Sequence, residues 1–480
     1  MITSKKAVNL EQETGNVIVG LFADKQTKEV SELGKLLGVE LSQIAEAKYG
    51  EVTLVSTLQK IESPLLYVVG LGKEADFDLE KFRNAVGRTA KKVKKNGVLL
   101  LESFGSDVKV LAQVATEAIG LATFKTGAFK TEDKKPEPTL FTLAADSDLE
   151  SAVTKGTVLA EATNQARTLV NLPGNKLTPT VLANEVADFA QKFNLECRII
   201  DKPEMEELGM GGLLGVNRGS TEAPKMIVAK YQGTHTFENV TALVGKGITF
   251  DTGGYTLKPR TAMNGMQGDM GGAASAFGAF IAAVRLKLPV NLLLVIASTD
   301  NMVSADAIKP GDVITMMNKK TVEVTNTDAE GRLVLGDALT LANQYNVSRI
   351  INLATLTGAM IVSLGADITG AFTNDVDFFK ELEAASFETN EQIWQMPLHA
   401  RDQKALRTSS QVADFNNAPL GKPGAIMAAA FLKEFVGKTP WIHLDIAGTS
   451  ESKAVHDLGP KGATGTMVRT LAKYLEKLGE

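Results

Sequence analysis

Apolar runs and helical periodicities alternate along the whole chain. Residues 16–23, 64–71 and 97–101 are short runs dominated by Val, Leu and Ile, the pattern of strands buried on both faces. Between the second and third, Phe82, Val86, Thr89 and Val93 recur at helical spacing and predict a helix over Leu79–Lys95. A longer helical pattern runs from Leu149 to Val170 and stops at Asn171-Leu172-Pro173-Gly174. Downstream, Thr241–Val244 reads as a short strand entering a glycine-rich loop, Gly271–Val284 as a buried helix of small residues, and Val290–Ala297 as a buried strand. Together they predict a βαβ unit. Thr321–Thr325 alternates as a strand does, and Leu333, Leu335, Ala338, Leu339 and Leu341 mark a helix opening at Gly331. Such alternation predicts an α/β fold of two domains, each a mixed or mostly parallel sheet flanked by helices. The expected division is an N-terminal domain over 1–150, a linking helix over 151–172 and a catalytic domain over 173–480, with Thr131–Pro138, charged and proline-rich, as an exposed loop.

The most informative stretch is Asn326-Thr327-Asp328-Ala329-Glu330-Gly331-Arg332-Leu333. In an extended backbone residues i and i+2 point to one side, so Asp328 and Glu330 are expected to leave a strand end together. Two adjacent carboxylates repel and favour a cation between them. A bare Asp-x-Glu describes a solvated acidic loop equally well, so the rest of the chain has to decide. Upstream lie Gly245-Lys246-Gly247, Asp251, the Gly253-Gly254 pair, Lys258-Pro259, and Asp269 just before the small-residue helix. Glycines beside a Lys and an Asp suit a backbone that approaches a ligand closely, but the Gly-Lys-Ser/Thr ending of a phosphate loop is missing. Asp251, Asp269, Asp328 and Glu330 carry four negative charges, which two divalent ions would balance. An oxygen-dominated set suits Mg²⁺ or Mn²⁺ and permits Zn²⁺. The four histidines, His235, His399, His443 and His456, all fall outside these motifs, and no His-Glu-x-x-His occurs. His443, in an alternating run, reads as a packed core residue.

Composition narrows the picture. A chain of 480 residues exceeds one ordinary core. Its 44% hydrophobic and 22% charged residues with a net charge of −5 give no support for general nucleic-acid binding. Lys91, Lys92, Lys94 and Lys95 read as a solvated helix end. Arg285 and Lys287 break the longest apolar stretch, no secretory signal is visible, and Cys197 is alone, so a cytoplasmic protein without a membrane span or disulfide is expected. Cys197 itself belongs in a core or edge strand. Neither Gly-x-Ser-x-Gly nor a dinucleotide-binding Gly-x-Gly-x-x-Gly is found.

These pieces, in this order, resemble the leucine aminopeptidase (cytosol aminopeptidase) family of dinuclear metallopeptidases. The eight-residue motif at 326–333 is intact. Val244–Asp251, Gly253-Gly254, Lys258-Pro259, Asp269-Met270, Pro310–Val313, Thr355–Ala359, Asp445–Gly448 and Gly462–Gly465 also match. The likeness is strong over residues 155–480 and weaker before. It implies an aminopeptidase that frees leucine and other apolar N-terminal residues from short peptides, by attack of a water or hydroxide bridging two metal ions. By position, Asp251 and Glu330 would bridge both ions, Asp328 would complete one site, and Lys246, as a neutral amine, would complete the other with Asp269. Lys258 would stay protonated and stabilise the gem-diolate oxygen, and Arg332 would hold a bicarbonate acting as general base. Met266, Thr355, Leu356, Gly358 and Ala447 would bind the departing residue. A homohexamer is implied as well. Gln267, Gly268, Asp300 and Ser450 depart from the family pattern, the last in the side-chain pocket. A DNA-binding regulator and a two-metal phosphoesterase are the competing readings.

Overall fold

The computed structural model describes residues 1–126, 129–131, 139–422 and 424–480, so apart from Thr131 the proline-rich loop lies outside the described residues. The chain forms two compact units, Met1–Asn164 with Ala454–Lys461, and Gln165–Lys453 with Gly462–Glu480. The helix Glu150–Asn171 carries the chain from one to the other.

In the first unit, strands β1 (Ile2–Lys5), β2 (Asn16–Phe22), β3 (Val52–Ser56), β4 (Leu65–Gly72), β5 (Gly97–Leu100) and β6 (Phe141–Ala144) form one sheet, ordered β1-β6-β5-β2-β4-β3. All neighbours are parallel except β3, which is antiparallel to β4. The residues of β2 alternate between two apolar clusters: Val17, Val19 and Leu21 join Val30, Leu33 and Leu37 of helix Lys28–Leu37, whereas Ile18 and Phe22 join helices Leu79–Ala90 and Val108–Ala122. Burial on both faces is why the run lacks polar alternation. The helix predicted to reach Lys95 ends a turn earlier, at Ala90. Val93 is still buried, but Lys95 takes a left-handed conformation (φ 64°) that turns the chain into β5. Segment 454–461 returns to this unit, where Arg88 Nε and Nη2 donate to the two carboxylate oxygens of Asp457 at 3.0 and 2.8 Å.

The second unit is built on strands β7 (Glu196–Ile200), β8 (Lys225–Gln232), β9 (Thr241–Asp251), β10 (Asn291–Asn301), β13 (Arg349–Ala354), β14 (Thr369–Thr373), β15 (Ile393–Gln395) and β17 (Trp441–Asp445), ordered β15-β14-β17-β13-β9-β10-β8-β7. The central four, β17, β13, β9 and β10, are mutually parallel. A small sheet of β11 (Asp312–Thr315), β12 (Thr321–Val324) and β16 (Phe415–Asn416) lies beside it in sequence. The predicted βαβ unit is present as β9, helix Gly271–Arg285 and β10. Helices Gly331–Gln344 and Gly424–Val436 pack on each other within one extended apolar cluster. His443 is fully buried between Trp441 and Phe372, its Nδ1 2.9 Å from Asn352 Nδ2. Burial lowers its pKa to about 3, so it is a neutral core residue as expected. Cys197 is half-buried on the edge strand β7, and burial pushes its thiol up. No helix among the described residues is long and apolar enough to cross a membrane.

Candidate metal centre and active site

Strands β13 and β17 end side by side at Ala354 and Asp445, level with Lys246 of β9, which runs on beside β10 to Asp251, and the candidate residues gather around these carboxyl ends. Open α/β sheets place their ligands at this end. The stretch around Lys246, expected to be a loop, is strand: β9 runs unbroken from Thr241 to Asp251. That raises a parity problem, because Lys246 and Asp251 are five residues apart and should face opposite sides. The register resolves it. Lys246 pairs with Ala297 and Asp251 with Asn301, four residues apart on β10, and the irregularity lies between Thr299 and Asn301. One extra residue on β9 is thus bulged out, and the bulge returns both side chains to one face.

Asp328 and Glu330 also arrive differently from expectation. They are not on an extended strand end. Strand β12 stops at Val324, and residues 326–329 form a turn in which Ala329 N donates to Asn326 O (3.2 Å) and Asp328 N to Asn326 Oδ1 (2.8 Å). Glu330 is the cap residue of helix Gly331–Gln344. The side chains converge because a turn, not pleating, delivers them. Gly331 is required here: a Cβ on it would lie 2.5 Å from Lys246 Cε. Gly253, at φ 85°, similarly lets the chain fold back where a Cβ would meet Asp328 Oδ1 at 2.8 Å.

The result is a buried charge cluster. One carboxylate oxygen from each of Asp251, Asp328 and Glu330 lies within 4.8 Å of the others. Lys246 Nζ sits 2.8 Å from Asp269 Oδ2, 2.9 Å from Glu330 Oε1 and 3.0 Å from Thr355 O. Lys258 Nζ is 2.8 Å from Asp251 Oδ2 and also pairs with Asp328. Asp251 Oδ1 accepts from Asn301 Nδ2 and Gly253 N, each at 2.8 Å, and Thr355 Oγ1 donates to Asp269 Oδ1 at 2.8 Å. Burial raises Asp269 well above the carboxylate range, with Lys246 pulling down and Glu330 and Asp251 pushing up; burial raises Glu330 and Asp328 too. Burial alone would lower Lys246, but Asp269, Glu330 and Asp251 outweigh it and hold the ammonium above its ordinary value. Lys258 is raised by the same competition, against Asp251 and Asp328.

The donor set fits divalent cations. Glu330 Oε2 is buried and accepts no hydrogen bond among the described residues, and an orphaned carboxylate oxygen inside protein is costly unless a cation meets it. Arg332, nearly buried, donates through Nη1 to Asn417 O (2.7 Å), while its Nε has no partner and no carboxylate among the described residues pairs with it. Burial lowers it to about 10. It remains a cation with donors to spare for an anion.

Thr355 and Leu356 follow β13, and Ala447 follows β17. Asp445 joins them, its Oδ1 accepting from Leu356 N and Ala447 N, each at 3.2 Å. Met266 lies on the turn before Asp269, whose amide donates to Met266 O at 3.3 Å. Gly358 is exposed and opens helix Gly358–Leu364. Two contributors escaped the sequence reading. Asn301 anchors Asp251 and donates to Thr327 O (3.0 Å), with only its place at a strand end to signal it. Asn417 donates to Asn326 O (2.7 Å) and Ala329 O (3.2 Å) and accepts from Thr325 N (3.0 Å), a role nothing near it in sequence announces.

Residues 164–472 match the catalytic domain of the cytosol aminopeptidase family, and residues 18–133 match that family's N-terminal domain. The chain belongs to the cytosol aminopeptidase family. Residues 18–133, where the sequence resemblance is weak, thus belong to it on a match of their own. Among solved structures, "Bottromycin maturation enzyme BotP in complex with Mn" is 31% identical, with a TM-score of 0.86 over 98% of this chain and 100% of that one. "Bottromycin maturation enzyme BotP" matches equally over 97% of this chain. Family membership makes the chain a peptidase, and the BotP complex shows that this fold accepts manganese in a relative.

Proposed function

We propose that the protein is a dinuclear-metal aminopeptidase that releases leucine and other apolar N-terminal residues from short peptides. The observation carrying this reading is the convergence of Asp251, Asp328 and Glu330 with a buried carboxylate oxygen left unpaired. In this reading Asp251 and Glu330 would contribute to both metal sites, Asp328 would complete one, and Lys246 with Asp269 would complete the other, catalysis residing in residues 173–480. Mn²⁺ or Zn²⁺ are the expected occupants, with Mg²⁺ compatible. When bound, the ions would polarise the scissile carbonyl and make a water nucleophilic near neutral pH.

The chain's own residues do the rest. Lys246 sheds its proton to become a ligand, so loading should release protons. Lys258 keeps its proton and stabilises the oxyanion developing on the attacked carbonyl. Arg332, a buried cation with no carboxylate partner among the described residues, would hold a bicarbonate, which would supply a general base. Asp269 and its neighbours receive the substrate's α-amine, which confines cleavage to the first peptide bond. Met266, Thr355, Leu356, Gly358 and Ala447 would surround the departing side chain; Thr355 and Ser450 both lie against Gly271. A homohexamer in the cytoplasm belongs to the same proposal. As for the DNA-binding alternative, Lys91 Nζ is engaged with Gly459 O at 3.1 Å, which weakens the one basic cluster it relied on. The test is hydrolysis of Leu-p-nitroanilide after chelation and return of Mn²⁺ or Zn²⁺: activity should vanish and recover, and activity indifferent to chelation would sink the reading.

A further inference from the structure

A cavity of about 620 Å³ lies beside the turn that carries Asp328, with Thr325 in its wall. Its walls include Arg401 and Lys404 of helix Ala400–Arg407, Lys422, and Thr325, Asn416 and Ala418. Three cations line it and no acidic side chain does. Arg401 is 3.9 Å from Asp402 Oδ1, and among the described residues no carboxylate pairs with Lys404 or Lys422. Elsewhere this acidic protein pairs its lysines freely, as in Lys320–Glu434 and Lys230–Glu196. Two lysines without carboxylate partners and an arginine only loosely held by one leave a positive field around the concavity that attracts an anion.

Its position says which anion. Thr325 lies three residues before Asp328, so the cavity wall is at most roughly 10 Å along the chain from the cluster. Asn416 and Ala418 flank Asn417, which braces Asn326, Ala329 and Arg332. If the substrate's amine is held at the Lys246–Asp269 end, its chain must leave past the opposite, Lys258–Asp328 end, which is the side joined to Thr325. That distance is about three extended residues. We infer that this cavity is a subsite for a peptide carboxylate two to four residues beyond the cleaved bond, recognised by Arg401, Lys404 and Lys422, and that it favours short peptides with a free C-terminus. The inference rests on the aminopeptidase reading and gives it a substrate class.

The test uses the metal-loaded full-length protein with Leu-Gly-Gly-Gly as free acid and as C-terminal amide, and with Leu-Gly-Asp-Gly-amide against its Asn counterpart. The carboxylate-bearing peptide of at least one pair should have a KM lower by roughly threefold to tenfold, as a few partly solvated charge pairs would give. That preference should shrink as salt rises from 0.05 to 0.5 M. The acid pair assigns the terminal carboxylate and the Asp pair a side-chain one. In Lys404→Gln/Lys422→Gln the acid-to-amide ratio of kcat/KM should fall towards one; because the ratio is taken within one protein, any general loss of activity cancels. No preference in either pair, or one that the double variant and salt leave untouched, overturns the subsite. Wild type that cleaves Leu-p-nitroanilide but shows no preference has lost only this inference, whereas wild type that does not cleave it loses the aminopeptidase reading too.

Discussion

Two lysines are clamped in the same way at opposite ends of one charge cluster, each between two carboxylates, and they differ in their access to water. Lys246, between Asp269 and Glu330, is 3% exposed, with partners at 7% and 3%. Lys258, between Asp251 and Asp328, is 14% exposed and Asp328 31%. The contrast follows from their origins. Lys246 stands inside β9 beneath helix Gly331–Gln344, against a glycine that leaves no gap. Lys258 follows the Gly253-Gly254 turn in a segment that is neither helix nor strand, beside the partly exposed Asp328. A sealed lysine can be forced neutral by nearby cations and serve as a ligand. A lysine reached by solvent keeps its proton and can meet a substrate. Similar sequence surroundings, a Lys near glycines and carboxylates, therefore support two different tasks.

The largest effect should come from the residue both ends depend on. Glu330→Ala removes a carboxylate that pairs with Lys246 and presents its free oxygen to the cluster. Losing several kcal/mol of transition-state stabilisation corresponds to a drop in kcat of roughly 10³-fold or more. Metal analysis should find fewer than two ions per chain. Full stoichiometry with near wild-type kcat would break the comparison at its root.

Lys246→Met separates the ligand role from charge balance. In the metal-free protein this change strands Asp269 and Glu330 as buried carboxylates without a cation, costing roughly 3–5 kcal/mol of stability. Chemical denaturation of the apo protein should show that loss, and saturating Mn²⁺ should restore part of it. For Lys258→Met the apo stability should fall less, by about 1–3 kcal/mol, because Asp328 is partly solvated and buried Asp251 keeps its bonds from Asn301 and Gly253. Its kcat towards Leu-p-nitroanilide should instead fall by roughly 10²- to 10³-fold at nearly constant KM, the signature of a group acting on the transition state. Equal apo destabilisation in both variants would erase the distinction between the two ends.

How much of this could be read from the sequence follows the same line. Local periodicity announced the βαβ unit around helix Gly271–Arg285, and Lys246, Asp251, Asp269, Asp328 and Glu330, which motif order singled out, lie together in one cluster. The backbone geometry that does the gathering was not legible. Glycines around Lys246 suggested a loop, but tertiary packing against Ala273 and Ala297 makes it strand. The bulge that brings Asp251 to the same face is visible only in the register with β10. The alternation before Asp328 was real but ended at Val324, so a correct pairing of carboxylates was inferred from an incorrect conformation. Asn417 is more than eighty residues from the turn it braces, and no local pattern can report a contact of that separation.

Asn417 supplies the mildest and most specific test. Its amide accepts from Thr325 N and Asn326 N and donates to Asn326 O and Ala329 O, so one side chain satisfies four backbone groups of the turn, while its carbonyl receives Arg332 Nη1. It touches Lys246 nowhere in this network. Asn417→Ala keeps the carbonyl for Arg332 but frees the turn, so Asp328 should lose its position while the Lys246 end stays intact. Misplacing a supporting contact of this kind costs roughly tenfold to 100-fold in activity or metal affinity. We therefore expect two classes of metal in a binding titration, one near wild-type affinity and one weakened by that factor. Addition of excess Mn²⁺ should restore most of the kcat. If both ions weaken together, the two ends are a single cooperative site, and their difference in exposure has no functional meaning.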